Sequence, residues 1–342
     1  SSAIVFEPVV LTDLAIALRI GWFEVFRLPA CYMVTLLLAS RADNASVNLH
    51  EAVVELGDWE DPENLQHGLL MRHSVRPVHL LLIEKLHIHA DGIDLIHEKE
   101  TAESVDEVLV LSRHAAKSGI PSLTVHAIGV PGEVPHGEVG FAGGEKGLAV
   151  PPSPRFSAIY SALRHEVSKS DMANEFEVSL ETTHHGPVLT KPTLYLEIGS
   201  KESEWIRKDA SSLWAVVISR ILGFSDNLAE GEWLGEGDVM VGFGGGHYAP
   251  RHSDVAIRSG IPFGHLIANY ALIFDEQNTE SPSGPWRHSL HEAIEKTRIA
   301  FPGGTIFAHL DRKSFKGWQR NAIIAELSSL GVEVRRGKEI IP

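Results

Sequence analysis

From Met33 to the end of this chain, short apolar runs of strand type alternate with amphipathic stretches, and five of the runs stop at a histidine. Alternation of that kind restricts the chain to α/β layering, with helices packed on a sheet. The runs are 108–111 before His114, 123–125 before His126, 176–180 before His184 and His185, 239–243 before Gly244-Gly245-Gly246-His247, and 305–308 before His309. In open α/β sheets, ligands and reacting groups collect outside the carboxyl ends of strands. Imidazole is both the commonest metal ligand and the acid–base group matched to neutral pH. A shared histidine-rich rim is the first functional expectation.

The length of 342 residues allows one large domain or two modest ones, and 44% apolar content predicts a packed core. A net charge of −15 opposes broad attraction to DNA or an anionic membrane, while leaving room for a local basic patch. The single cysteine, Cys31, excludes an internal disulfide and suits a reducing, cytoplasmic setting. It also excludes a thiolate-rich structural zinc site, so any metal must rest on histidine and carboxylate. Residues 1–32 read differently. Their apolar run is interrupted by Asp13, Arg19 and Glu24, which is wrong for a membrane span. Glu7 stands where a secretory signal would be basic, and a transit peptide would be poor in acids. We expect 1–32 to be an extension outside the functional unit, and 33–342 to be one domain opening on a strand at Met33.

Several elements follow from local signals. Asp91-Gly92 between 86–90 and 93–97 predicts a hairpin. Ser153-Pro154 predicts the start of a helix with an apolar stripe through Ala158, Ile159, Ala162, Leu163 and Val167. Ser200 is expected to cap a helix running through Trp205 and Leu213 to Ile221, with Glu202 and Glu204 in its first turn. Further helices are expected over roughly 286–300 and after Ser314. Gly/Pro-rich loops fall at 129–154 and around 278–285.

Four constellations carry chemistry. Glu181-Thr182-Thr183-His184-His185-Gly186-Pro187 delivers a carboxylate and two imidazoles before a sharp turn. In extended chain, adjacent side chains point opposite ways, so one of the two histidines is expected to face a site. The plainer reading is a polar strand end. Gly244 to Gly246 let the backbone approach a ligand and expose its N–H groups, with His247, Arg251 and His252 following. This is neither a dinucleotide fingerprint nor a P-loop. A tight turn is the plainer alternative. His114 and His126 gain meaning by convergence, and Glu197 offers a ligand or general base beside them. Arg312, Lys316 and Arg320 recur every four residues as one basic helical face; alternatively, Arg312 and Lys313 precede a helix N-terminus. Trp318 suits stacking on an unpaired base, or packing in the core. The histidines at 67, 73, 79, 87, 89, 97, 136, 165, 288 and 291 show no partner spacing, and surface placement is expected for them.

In this order, Leu111-Ser112-Arg113-His114, Leu123-Thr124-Val125-His126, Thr183-His184-His185-Gly186-Pro187, Glu197-Ile198-Gly199-Ser200, Gly244 to Arg251 and His309 to Gln319 resemble the D-aminoacyl-tRNA deacylases of the archaeal and plant type. The likeness runs from about Met33 to about Gly331. It departs at the first 32 residues and at Thr182-Thr183, where plant members tend to read Ala-Thr. The resemblance implies hydrolysis of the ester joining a D-amino acid to the 3′ end of tRNA. It also implies zinc dependence and a three-layer α/β/α sandwich with a mixed, mostly parallel sheet, like the phosphorylase and peptidyl-tRNA hydrolase folds.

On that footing we expect Zn2+ held by some of His114, His126, His184 and His247, lowering the pKa of a water. Glu181, Glu197 and His185 are the catalytic candidates, and the N–H groups of Gly245 and Gly246 are the oxyanion donors. Arg251, Arg312, Lys313, Lys316 and Trp318 would meet the tRNA acceptor end, and a monomer with no DNA or membrane partner is expected. Neutralising about three phosphates predicts a log–log salt slope of about −2 to −3. The rivals are a metal-dependent small-ester or amide hydrolase that ignores tRNA, and a nonhydrolytic tRNA-binding module using the glycine loop alone.

Overall fold

Every residue from Val34 to Ser40 is buried, because strand β1 (Met33–Ser40) lies between two parallel neighbours and is covered on both faces. The structure is a computed structural model that describes residues 33–133, 142–224, 228–275 and 282–342. The expectations placed on residues 1–32, on Cys31 and on His136 lie outside the described residues. Residues 33–342 cluster as one unit. Among the described residues, no helix is long and apolar enough to cross a membrane.

The larger sheet uses β1, β2 (Glu63–Leu65), β3 (Gly68–Arg72), β4 (Val78–Ile83), β5 (Ser104–Arg113) and β6 (Ser122–His126), completed by β9 (Glu177–Leu180) and β10 (Thr193–Gly199). Its order is β2-β3-β4-β1-β5-β10-β6-β9. The pairs β4/β1, β1/β5, β5/β10 and β6/β9 are parallel, while β10 and β6 run antiparallel. Between β6 and β9, β7 (Gly129–Val130) and β8 (Leu148–Ala149) make a short antiparallel ribbon. A second, all-parallel sheet is formed by β11 (Asp238–Phe243), β12 (Phe263–Ile267), β13 (Thr305–Leu310) and β14 (Glu333–Arg335), in the order β12-β11-β13-β14. The mixed α/β architecture with mostly parallel pairing therefore holds, but it is divided between two sheets.

Helices α1 (Asn44–Val54), α3 (Phe156–Lys169) and α5 (Lys208–Leu222) cover one face of the larger sheet, and α2 (Ile93–Thr101) packs on the other. Asp43 starts α1 by accepting the N–H groups of Ala45 and Ser46 at 2.9 and 3.1 Å. α3 also reaches the second sheet, where Phe156 meets Phe263 at 4.5 Å between ring centres. One core, including Leu163, Trp214, Met240 and Phe307, thus spans both sheets. Helix α6 (Pro250–Ser259) follows the glycine run after β11, and the far face of the second sheet is closed by α7 (Trp286–Ala300) and α8 (Gly317–Ser329).

Three local expectations need correction. The Asp91-Gly92 hairpin does not form: residues His87–His89 make a 3-10 turn, and Gly92, at φ +66°, leads directly into α2. Ile93, Asp94 and His97 are buried on one helical face, so an apolar spacing compatible with two periods is resolved in favour of the helix. Asp91 and Asp94 instead accept backbone N–H groups of Val188, Thr190 and Lys191 at 2.7–2.9 Å. The helix expected from Ser200 breaks into α4 (Glu202–Trp205) and α5, and the Ser200 hydroxyl donates to the Ile120 carbonyl rather than capping. His73, His79, His87 and His97 are buried rather than superficial. His79 and His97 share a 2.8 Å contact and His97 meets His67 at 3.1 Å, so each ring satisfies the next.

Candidate active site

Strands β5, β10 and β6 lie side by side, with Glu197 in register with Ser112 on one neighbour and Thr124 on the other. The two-residue period puts Glu197 and Tyr195 on the same face as Ser112 and Thr124, while Leu111, Leu196 and Val125 face the core. Glu197 accepts the hydroxyls of Ser112 and Thr124 at 3.0 and 2.9 Å. Because β6 runs against β10, His126 at its end sits beside Tyr195, whereas His114 follows β5 to the opposite end. Their imidazoles approach Glu197 Oε2 from two directions, His114 Nδ1 at 3.5 Å and His126 Nε2 at 3.6 Å. The histidines therefore gather over the face of the sheet and not along a common carboxyl rim. The antiparallel strand is the reason.

His114 enters because Gly199 has no side chain: a Cβ there would lie 2.6 Å from the Cβ of His114. The Trp205 indole N–H then donates to the His114 carbonyl at 2.9 Å.

After β9 the chain passes between the two sheets. Glu181 N–H donates to Val125 O at 3.1 Å, and the N–H groups of Thr182 and Thr183 donate to His247 O and Leu266 O, each at 2.7 Å. Glu181 is fully buried at the centre of the cluster. Its oxygens lie 2.9 Å from His114 Nδ1, 2.8 Å from His247 Nε2 and 3.6 Å from His184 Nε2. His185 does not point away from His184 as extended chain requires. Its φ of +47° turns its ring inward, 4.5 Å from His184 and 4.9 Å from His126 between ring centres.

The tautomers follow from the partners. Nδ1 of His126, His184 and His185 lies 3.1, 2.7 and 2.6 Å from the carbonyls of Ala127, Thr182 and Gly186. A carbonyl can only accept, so each Nδ1 carries the proton and each Nε2 is left for a ligand. One nitrogen from each of these three rings falls within 4.8 Å of the others, and the sets Glu181/His184/His247 and His114/Glu181/Glu197 meet the same limit. His126 Nε2 is buried with no hydrogen-bond partner among the described residues. These residues could hold a metal ion.

Charge is concentrated and shielded. Burial disfavours a cation at His114, but the carboxylates of Glu181 and Glu197 override it and raise the ring to about 11. His126 is raised the same way, against burial, chiefly by Glu197. Burial, reinforced by His126 and His185, holds His184 well below the ordinary imidazole range. Burial opposes ionisation of Glu181, yet His114 and His247 keep it well below the usual carboxylate range. A cleft of about 190 Å3 bounded by His114, His184, His185, Glu197, His247 and Arg113 opens onto this cluster.

The glycine run follows β11, with φ values of +101° and +87° at Gly244 and Gly245. A Cβ on Gly244 would lie 2.7 Å from the Phe315 ring. Its N–H donates to Ile267 O at 2.7 Å, and that of Gly245 donates to Ser314 Oγ at 2.7 Å. Gly245 is therefore not an available oxyanion donor, and that role can fall only to Gly246.

Ser314 closes a 3-10 turn, Arg312–Ser314, and α8 begins at Gly317 with Lys316 N–H on Gln319 Oε1 at 2.8 Å. Arg312 and Lys313 thus stand in the turn before the helix instead of sharing a helical face with Lys316. Arg320 folds back onto the carbonyls of Arg312 and Phe315 at 3.0 and 3.2 Å. Arg251 pairs with Asp311 at 3.0 Å. Trp318 is half-buried, edge-on to Phe274 at 5.4 Å. His309, the fifth strand-end histidine, does not join the cluster and contacts His252 at 2.8 Å.

Sequence reasoning missed Ser112, Thr124 and Tyr248. The first two stand two residues before a strand-end histidine, the position that shares its face. Tyr248 adjoins His247, is 40% exposed at the mouth, and its hydroxyl meets His114 Nε2 at 3.0 Å.

A profile of the D-aminoacyl-tRNA deacylase family matches residues 101–335. A D-aminoacyl-tRNA deacylase of Arabidopsis thaliana is 40% identical over 312 residues, 88% of this chain and 98% of the relative. One from Methanosarcina barkeri is 32% identical over 309 residues, covering 89% and 90%. A crystal structure described as a conserved protein of unknown function superposes with a TM-score of 0.73 at 26% identity, covering 90% of this chain and 96% of the other.

Proposed function

This chain belongs to the D-aminoacyl-tRNA deacylase family, and from that premise we propose how its own residues hydrolyse the ester of D-aminoacyl-tRNA and which of them hold a metal. The observation that carries the reading is the convergence of His114, His126, His184, His185 and His247 on two buried carboxylates, Glu181 and Glu197. Nothing in a purely structural role calls for so many imidazoles around a dry carboxylate pair.

The metal ligands proposed are His126, His184 and His185, supported by their fixed tautomers and by the orphaned His126 Nε2. A carbonyl on each distal N–H is the arrangement that orients ligand imidazoles. This assignment moves His185 into the ligand set and takes His114 and His247 out of it. The metal is taken to be zinc, which when bound supplies Lewis acidity, polarising an ester carbonyl and acidifying water. The protein does the rest. Glu197, fixed by Ser112 and Thr124, and Glu181 hold His114 as an imidazolium whose Nε2–H is turned to Tyr248. That donor pair and the Gly246 N–H are proposed to receive the charge that develops on the carbonyl oxygen. His247, 26% exposed and oriented by Glu181, is the base that takes the water proton. Water oxygen bonds to the carbonyl carbon, the bond to the tRNA 3′ oxygen breaks, and that oxygen leaves with the proton that His247 took from the water.

Arg312, Lys313 and Lys316 are proposed to meet acceptor-end phosphates, since the Ser314–Gly245 bond ties their turn to the loop that delivers His247. Arg251 is proposed to join them. Trp318 is assigned there with its exposed edge only, because Phe274 takes the other. The enzyme is taken to act as a monomer in the cytoplasm, without DNA or membrane partners.

The test is amino-acid release from matched D- and L-tyrosyl-tRNA, with and without a chelator. D-selective release lost on chelation is expected. Release indifferent to the chelator removes the metal, and no release from either substrate overturns the assignment.

A further inference from the structure

A second cavity, about 360 Å3, opens at the carboxyl edge of the smaller sheet and is lined by Arg251, His309, Arg312, Arg335 and Arg336, with no carboxylate among the described residues of its wall. Two of these cations are already neutralised: Arg251 by Asp311 at 3.0 Å, and Arg335 by Glu333 at 2.7 Å and by Asp238. Arg335 also stacks on Phe307, 4.4 Å from the ring centre, which fixes its guanidinium as a wall. Arg312 and Arg336 are exposed, and neither makes an ion pair among the described residues. Two uncompensated guanidinia around a concave space are a poor arrangement for stability and a good one for an anion.

The cavity is built, not incidental. Gly242, His309 and Arg335 form one row across β11, β13 and β14. A Cβ on Gly242 would lie 2.9 Å from the His252 ring, so the glycine admits that imidazole. His252 Nε2 is 3.1 Å from Gly244 O and can only donate there, while its Nδ1 meets His309 Nδ1 at 2.8 Å. The cavity wall is thus joined through His309 and His252 to Gly244, three residues before His247. β14 stands two strand spacings from β11, roughly 10 Å along the same edge.

We propose that this cavity is a phosphate-binding subsite that takes a backbone phosphate of the tRNA, with Arg336 and Arg312 as its contacts. The proposal rests on the deacylase reading, and it adds Arg335, Arg336, His309 and His252 to the surface that grips the tRNA. A free phosphate or nucleotide phosphate offers the same chemistry, so the source must be separated experimentally.

The measurement is binding of uncharged tRNA by fluorescence anisotropy from about 50 to 200 mM salt, for wild type, Arg336→Gln, Arg336→Lys and Arg312→Gln/Arg336→Gln. One lost phosphate contact lowers the log–log slope by roughly 0.7–0.9, and two by about twice that. Arg336→Lys, which keeps the charge, should retain most of the slope. Equal slopes in wild type and Arg336→Gln overturn the proposal, whatever the double variant loses through Arg312. So does protection of wild type, but not of Arg336→Gln, from thermal unfolding by inorganic phosphate while tRNA slopes stay equal; the site would then serve a free phosphate. The deacylase reading stands or falls separately, on whether wild type releases D-tyrosine at all.

Discussion

The hydroxyl of Ser314 accepts the Gly245 N–H at 2.7 Å, which locks the basic turn to the glycine run entering His247. Removing it leaves a half-buried amide without its acceptor, at a cost of roughly 1–3 kcal/mol. That strain falls on the loop, so we expect Ser314→Ala to lower kcat/KM for D-aminoacyl-tRNA by about tenfold. Ser314→Thr, which keeps the oxygen, should recover most of the loss. Steady-state kinetics on the two variants decide the point, and equal values for Ala and wild type would falsify the coupling.

Gly199 is predicted to be as sensitive as a catalytic residue. An alanine methyl would meet His114 at its Cβ, 2.6 Å away, and at its carbonyl oxygen, 2.9 Å away. Backbone offers no easy escape, so Gly199→Ala should cost about 1–3 kcal/mol, as overpacking does. Displacing His114 from Glu181 and Glu197 should also cut turnover by at least about tenfold, because the loss acts in the transition state. Melting curves together with kcat test this. A variant matching wild type in both would show that His114 is not held where the structure has it.

The metal set separates cleanly by content. His126→Ala, His184→Ala and His185→Ala should each lose metal, and a chelator should lower the melting temperature of wild type by mass action. His114→Ala should keep its metal and lose activity, since both of its close carboxylate contacts lie outside the three-histidine set. Elemental analysis of the four proteins is the check. A full equivalent of metal in His185→Ala would restore the ligand set first expected from the strand ends.

All five runs that end at a histidine are strands, and four of them deliver imidazoles to the cluster, because buried runs of Val, Leu and Ile are legible as strands without knowing their neighbours. What it cannot carry is strand direction. β6 runs against β10, and this alone moves the site from the rim to the face of the sheet. The same lack of long-range information hid the fate of His309, which stands in register with Gly242 and turns to His252. His185 failed for a local reason: a left-handed φ in a histidine followed by Gly-Pro breaks the alternation on which its orientation was argued. The buried histidines 79, 87 and 97 were missed because each is satisfied by a partner 18 to 108 residues away. Elements set by nearest neighbours, such as α7 and β1, were legible almost to the residue.

Acid should unfold this protein early. Burial holds His97, His252 and His265 at about 3, with His79 and His309 adding to the first two. In the unfolded chain each titrates near 6.5, so between about 6.5 and 3 the unfolded state binds protons that the folded state refuses. Stability therefore falls as pH drops through that window, by up to about 1.4 kcal/mol per pH unit for each group. His114 has the opposite sign. Raised to about 11, it contributes stability that is complete below about 6.5 and lost as pH rises toward 11. More imidazoles are lowered than raised, His184 joining the first group and His126 the second, so the acid limb is the steeper, with maximal stability near neutrality. Urea midpoints at pH 5, 6, 7 and 8 should decline sharply on the acid side and gently on the basic side. A midpoint that stays level from pH 7 to 5 would mean that these imidazoles are not buried as neutral rings.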